Sequence, residues 1–135
     1  MQFTYLCVNT HNMAEHHKTG KWGEQVAARF LTEKGYEVLH TNWQQGKCEV
    51  DIIAKQNNLL IFAEVKTRST NYFGYPEQRV NKNKQKMLVK AAGLYTEINE
   101  LDLGVRFDVI SITIQKGSTP QIYHIEDAFT LYHNL

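Results

Sequence analysis

From Lys21 to Lys34 the apolar residues Trp22, Val26, Ala27, Phe30 and Leu31 recur three or four positions apart, and Gly35 follows as a stop. That spacing predicts an amphipathic helix. The period then changes. "YEVLHTNW" (36–43) reads as a strand, and "CEVDIIAK" (48–55) and "NLLIFAEVKT" (58–67) read as stronger ones, rich in β-branched and large apolar residues around a "QNN" turn. "STNYFGYPEQ" (69–78) is a loop by its Gly and Pro, and helical spacing returns from Val80 to about Ile98 through Met87, Leu88, Ala91, Leu94 and Tyr95. "VRFDVISITI" (105–114) is a further strand, "KGSTP" a turn, "QIYHI" a short strand and "EDAFTLYHNL" (126–135) a terminal helix. The order α, β, β, β, α, β with a short tail predicts a mixed sheet covered by helices, of class α/β or α+β.

Bulk properties narrow the setting without naming a partner. A chain of 135 residues, 42% hydrophobic, suits a single domain, placed at residues 19–135 behind a polar stretch, 1–18, expected to be a flexible leader. The net charge of +1 means that affinity for a polyanion has to come from a local basic patch. Cys7 and Cys48 fit neither a disulfide framework nor the paired spacing of a zinc site, so free thiols in a reducing cytoplasm are expected. "MQFTYLCVN" lacks a basic segment ahead of it, and no stretch approaches the ~18 apolar residues of a membrane span, so a soluble cytoplasmic protein without a membrane partner is expected. His11, His16 and His17 lie in the leader and lack the rigid frame that a metal site needs.

The anomaly is a set of charges inside the two strongest strands. Glu49 and Asp51 are two apart in one, and Glu64 and Lys66 are two apart in the next, so each pair is expected to share a face. If Asn57 and Asn58 make a two-residue type I′ turn, counting back pairs Asp51 with Glu64 and Glu49 with Lys66. Facing residues in such a ladder have Cβ atoms about 4.5–5.5 Å apart. A solvated cross-strand salt bridge accounts for Glu49 with Lys66 as well as any site does. It does not account for Asp51 beside Glu64, because two carboxylates about 5 Å apart repel by roughly 3 kcal/mol at an effective dielectric near 20. A divalent cation between them removes the conflict, and the hard oxygen donors favour Mg2+ or Mn2+ over zinc. Lys66 is then positioned to orient or deprotonate an attacking water.

An aspartate on one strand followed by Glu-x-Lys on the next, Asp51 with Glu64-Val65-Lys66, resembles the PD-(D/E)XK nuclease core. The wider set "GKWGEQVAARFLTEKGYEVLHTNW", "CEVDIIA", "FAEVKTR", the Gly74 to Pro76 loop and "RFDVISI" resembles the YraN family of nuclease-like bacterial proteins over roughly residues 14 to 115. The resemblance implies a restriction-endonuclease-like mixed sheet flanked by helices, order αβββαβ, related to archaeal Holliday-junction resolvases. It also implies Glu24 as a third acidic residue, the Val65 carbonyl as a further metal ligand, and a homodimer by analogy with the resolvases. The family usually has glycine where this chain has Cys48, a departure at the start of a strand that is expected to leave the ligands untouched.

"RVNKNKQKMLVK" puts Lys82, Lys86 and Lys90 on one stripe of the second helix, with Arg68 and Arg79 flanking the region. Such a stripe is more often a solvated face than a phosphate track. Here it follows directly on the Glu-x-Lys strand, which makes it the expected nucleic-acid contact, DNA ahead of RNA. Phosphate contacts position a substrate without reading its sequence, so structure-selective binding is expected. Tyr72, Phe73 and Tyr75 fit base stacking or loop packing equally. Trp22 and Trp43 read as core or rim residues, and Arg106 with Asp108 as an internal charge pair of a structural strand. The leading expectation is a metal-dependent endonuclease acting on DNA, in which Asp51, Glu64 and Lys66 are catalytic. The alternatives are a non-catalytic nucleic-acid-binding module with the same fold, and a protein-interaction domain.

Overall fold

The computed structural model describes residues 2–5, 20–69, 80–115 and 117–131. In chain order the elements are β1 (Gln2–Tyr5), α1 (Gly20–Glu33), β2 (Glu37–Gln45), β3 (Cys48–Gln56), β4 (Leu59–Ser69), α2 (Lys82–Ile98), β5 (Gly104–Ile114) and β6 (Gln121–Phe129). Both helices fall where periodicity predicts them, and local chemistry sets their ends. Gly35 at φ 91° lets the Tyr36 N–H turn back to the Leu31 carbonyl at 3.0 Å, closing α1. Asn81 caps α2, its side-chain oxygen accepting from the Lys84 N–H at 2.8 Å.

The strands form one sheet in the order β1-β6-β5-β4-β3-β2. Among the described strands only β4 and β5 pair in parallel, and α2 falls between them in sequence, as a parallel connection requires. Alternation along β4 divides the core. Ile61 and Ala63 join Trp22, Val26, Phe30 and Leu31 of α1, whereas Leu60 and Phe62 join Leu88, Ala91, Ala92 and Tyr95 of α2. This is the expected mixed α/β sheet with helices on its two faces, in the nuclease-like order α, β, β, β, α, β, β once β1 is set aside.

Three local expectations need correction. Gln2–Tyr5, assigned by sequence to the leader, pairs antiparallel with β6 and satisfies backbone groups of what would otherwise be a sheet edge. The expected terminal helix does not begin at Glu126: β6 continues to Phe129, because Phe129 pairs with Phe107 and stacks on its ring at 4.8 Å. Asp127, at φ 56°, absorbs the bulge and donates its N–H to Asp108 Oδ1 at 3.0 Å. The Asn57–Asn58 turn has positive φ at Asn57 alone (55°), so it is not type I′. Its two-residue length still fixes the register Gln56↔Leu59.

The internal charge pair is present and extended. Arg106 grips Asp108 through two hydrogen bonds of 2.8 Å, and His124 Nε2 lies 2.7 Å from Asp108 Oδ2. Lys34 Nζ reaches His124 Nδ1 at 2.8 Å, so both ring nitrogens of His124 have a polar partner. Tyr36 links Arg106 to Glu126. Every polar group of this buried set is therefore answered, the condition under which buried charge is tolerated. Trp22 is buried and Trp43 lies half-buried edge-on to Tyr95, as core and rim residues.

Candidate functional site

The site forms where β3 leaves β4. The β3–β4 ladder runs from Gln56↔Leu59 to Ile52↔Ala63 in the expected register, then ends. Asp51 and Glu64 come next on the two strands, yet they are not a ladder pair, nor are Glu49 and Lys66. The reason lies in β3 itself. Ile52 and Ala54 face α1, but Val50 and Cys48 are in the α2-side core, so alternation breaks at Asp51. The break lies between the pairs Thr41↔Ile52 and Trp43↔Val50, where Asn42 of β2 takes φ 52°. Asp51 is thereby turned toward β4, and its Oδ2 accepts the Val65 N–H at 2.8 Å. Glu49 is exposed, takes a hydrogen bond from Gln44 Nε2 at 3.3 Å, and stays within electrostatic reach of Asp51.

Glu64 continues the α2-side row of Leu60 and Phe62. Its side chain is only 17% exposed, and Lys84 Nζ of α2 lies 3.9 Å from its Oε1. Its other oxygen, Oε2, is buried without a hydrogen-bond partner. Burial pushes the Asp51 carboxyl above its usual pKa against the opposing pull of the Val65 N–H and Lys84, with Glu49 adding to the rise. Burial likewise raises Glu64, Lys84 and Lys66 opposing and Asp51 adding to the rise. Glu24 of α1 is raised by burial, then by Asp51 and Glu49, which brings it within electrostatic reach of the same cluster. Its position depends on Gly23, where a methyl group would overlap Thr67 Oγ1 and stand 3.3 Å from Thr67 Cβ. The missing side chain lets the start of α1 press onto the end of β4.

Lys66 is half-buried two residues beyond Glu64, and Arg68 is exposed near the end of β4. Lys82, Lys86 and Lys90 are all exposed on the solvent side of α2, as their stripe predicts. Arg79, Tyr72, Phe73, Tyr75, the Gly74 to Pro76 loop, Cys7 and the histidines at 11, 16 and 17 lie outside the described residues. Cys48 is a free, buried thiol of the α2-side core. The residue that the sequence reading missed is Lys84. It precedes Leu88 by four, Ala91 by seven and Tyr95 by eleven, so helical phase alone puts it on the inward face of α2.

The donors suit a hard cation that keeps much of its own water. Among the described residues no three His, Cys, Asp or Glu side chains converge into a ready-made cage. Two adjoining carboxylates from β3 and β4, one with an oxygen buried and unanswered, meet the habit of magnesium and manganese, which bind through one or two carboxylates and water.

The fold is that of a mixed α/β protein, a sheet flanked by helices whose element order is consistent with a nuclease-like fold. The chain belongs to the family described as "Uncharacterised protein family UPF0102", the YraN family, whose model matches residues 23–112. It is 52% identical over 117 residues to a UPF0102 protein of Christiangramia forsetii, covering 87% of this chain and 98% of the relative. It is 47% identical over 121 residues to one of Flavobacterium psychrophilum, covering 90% and 99%. A third, from Bacteroides thetaiotaomicron, is 44% identical over 117 residues, covering 87% and 96%. No helix among the described residues is long and apolar enough to cross a membrane.

Proposed function

We propose that this protein is a divalent-metal-dependent endonuclease that hydrolyses DNA phosphodiester bonds and selects DNA by structure more than by sequence. The observation that carries this reading is the adjacency of Asp51 and Glu64 at the opening between β3 and β4, with Glu64 Oε2 buried and unanswered. Asp51 and Glu64 would hold Mg2+ or Mn2+, with the Val65 carbonyl and Glu24 completing the shell directly or through water. Bound there, the metal would supply concentrated positive charge against the phosphate and make water more acidic. The Val65 N–H fixes the orientation of the Asp51 carboxylate. Lys66 orients the attacking water and handles its proton as the new P–O bond forms; the departing sugar oxygen takes up a proton as its bond to phosphorus breaks. Arg68, Lys82, Lys86 and Lys90, with Arg79, would hold backbone phosphates.

The test is incubation of the purified protein with Mg2+ or Mn2+ and linear, flapped and four-way DNAs. Metal-dependent cutting that prefers a branched substrate is expected. No cutting of any substrate, with metal bound, would overturn the enzyme reading. Salt-sensitive DNA binding without cutting would instead make it a binding module, and absence of DNA binding would leave a protein-interaction domain.

A further inference from the structure

Lys84 is an unusual lysine for this helix. It shares the inward face of α2 with Leu88, Ala91 and Tyr95, and its side chain is 33% exposed and directed at β4. Asn81, the cap of α2, holds its main-chain N–H at 2.8 Å, so the root of the side chain is fixed by the helix start. The tip is not fixed in the same way. At 3.9 Å from Glu64 Oε1, Nζ is too far for a hydrogen bond, yet close enough to act as counter-ion to a carboxylate whose other oxygen is unanswered. A compact charge on a flexible stem can change partners without moving the helix.

We propose, resting on the nuclease reading above, that Lys84 exchanges partners when metal binds: it neutralises Glu64 in the metal-free protein and passes to a DNA phosphate oxygen once a divalent cation takes Glu64. The ammonium group and the cation compete for one carboxylate and repel each other. Arrival of the cation therefore frees Lys84 at the place where a phosphate is to be held. The exchange ties phosphate grip to metal occupancy, so that the site engages DNA fully only when it is loaded. Linkage makes the coupling reciprocal: the lysine that metal displaces must weaken metal binding by its presence.

Calcium is the probe, as a hard cation titrated by calorimetry into the wild-type chain, Lys84→Met and Lys84→Gln, with Asp51→Asn to locate the site. Binding of a four-way DNA is measured against KCl concentration in calcium and in EDTA. Loss of the competing charge should tighten calcium binding by about 5–20-fold, at the low end of typical coupling between sites. In calcium the salt slope of the variants should be shallower than wild type by about 0.9, one phosphate contact, and in EDTA the slopes should coincide. Two uncharged replacements keep the result independent of one variant's folding. Unchanged calcium affinity overturns the exchange, and so does a slope difference that is equally present in EDTA. Tighter calcium without a slope change overturns the transfer to phosphate. In all three cases, calcium binding that Asp51→Asn abolishes leaves the metal-site reading standing. Wild-type protein that binds no calcium, magnesium or manganese overturns both.

Discussion

The Val65 N–H on β4 donates to Asp51 Oδ2 on β3 at 2.8 Å, immediately beyond the last ladder pair, Ile52↔Ala63. A carboxylate thus takes the place of the next main-chain acceptor. The opening of the strands and the orientation of the acid are one feature, and either would be lost with the other.

Replacing Asp51 separates its shape from its charge. Asp51→Asn keeps an oxygen for the Val65 N–H while removing a buried charge, so its stability in EDTA should lie within about 1 kcal/mol of wild type or above it. Asp51→Ala leaves that N–H unanswered and should cost about 1–3 kcal/mol. Both should abolish cleavage. Urea denaturation beside a cleavage assay checks the pair, and a clear loss of stability in Asp51→Asn would contradict the cost assigned to the buried charge.

The site carboxylates should leave a signature in pH. Asp51, Glu64 and Glu24 have raised pKa values, mainly through burial, so the folded chain binds their protons more tightly than the unfolded chain does. Ionised, they destabilise the metal-free fold, and that penalty disappears as pH falls through their folded-state values to the ordinary carboxylate range. Asp108 has the opposite sign. Burial alone would raise it, but His124, Arg106 and the Asp127 N–H outweigh burial and hold it low, so its contribution is lost only as pH falls below the ordinary range. Metal-free stability should therefore rise from neutrality toward that range and then fall. Denaturation at a series of pH values in EDTA should show the rise in wild type and a much smaller one, left by Glu24, in Asp51→Asn/Glu64→Gln, while metal affinity weakens in acid as protons compete.

Lys66→Met keeps the apolar stem and removes the ammonium group. Metal and DNA binding should persist, and single-turnover cleavage should fall by something like 10²–10⁴-fold, the usual cost of losing a positioned acid–base group. Glu49→Gln is the control, because exposed Glu49 pairs with Gln44 and should matter little to rate. Near wild-type turnover by Lys66→Met would remove its catalytic role.

Lys82→Ala with Lys86→Ala strips two exposed charges from α2. DNA affinity should drop and its salt slope flatten by about 1.8, two phosphate contacts, with calcium affinity unchanged. Unaltered binding would make the stripe a solvated face.

Gly23→Ala tests the seat of α1. The added methyl overlaps Thr67, so the variant should lose about 1–3 kcal/mol, as overpacked sites do. Displacement of Glu24 should also lower cleavage at a temperature where the variant is fully folded. Adding Thr67→Ala should recover part of the stability, and additive losses in thermal denaturation would refute the contact.

Local period and chain connectivity were enough to write both helices, four central strands and the Gln56↔Leu59 register into the sequence, because side-chain alternation and loop length act over a few residues. They also brought Asp51, Glu64 and Lys66 to neighbouring strands, and helical phase held an unread signal for Lys84. Only the tertiary structure decided the rest. β6 continues to Phe129 because Phe107 and Asp108 of β5 supply its partners, and Gln2–Tyr5 becomes a strand because β6 offers a free edge. The rotation at Asp51 depends on a backbone twist beside Asn42 and on a donor fourteen residues away, Val65. Such features arise from hydrogen-bond partners distant in sequence, and no local period encodes them.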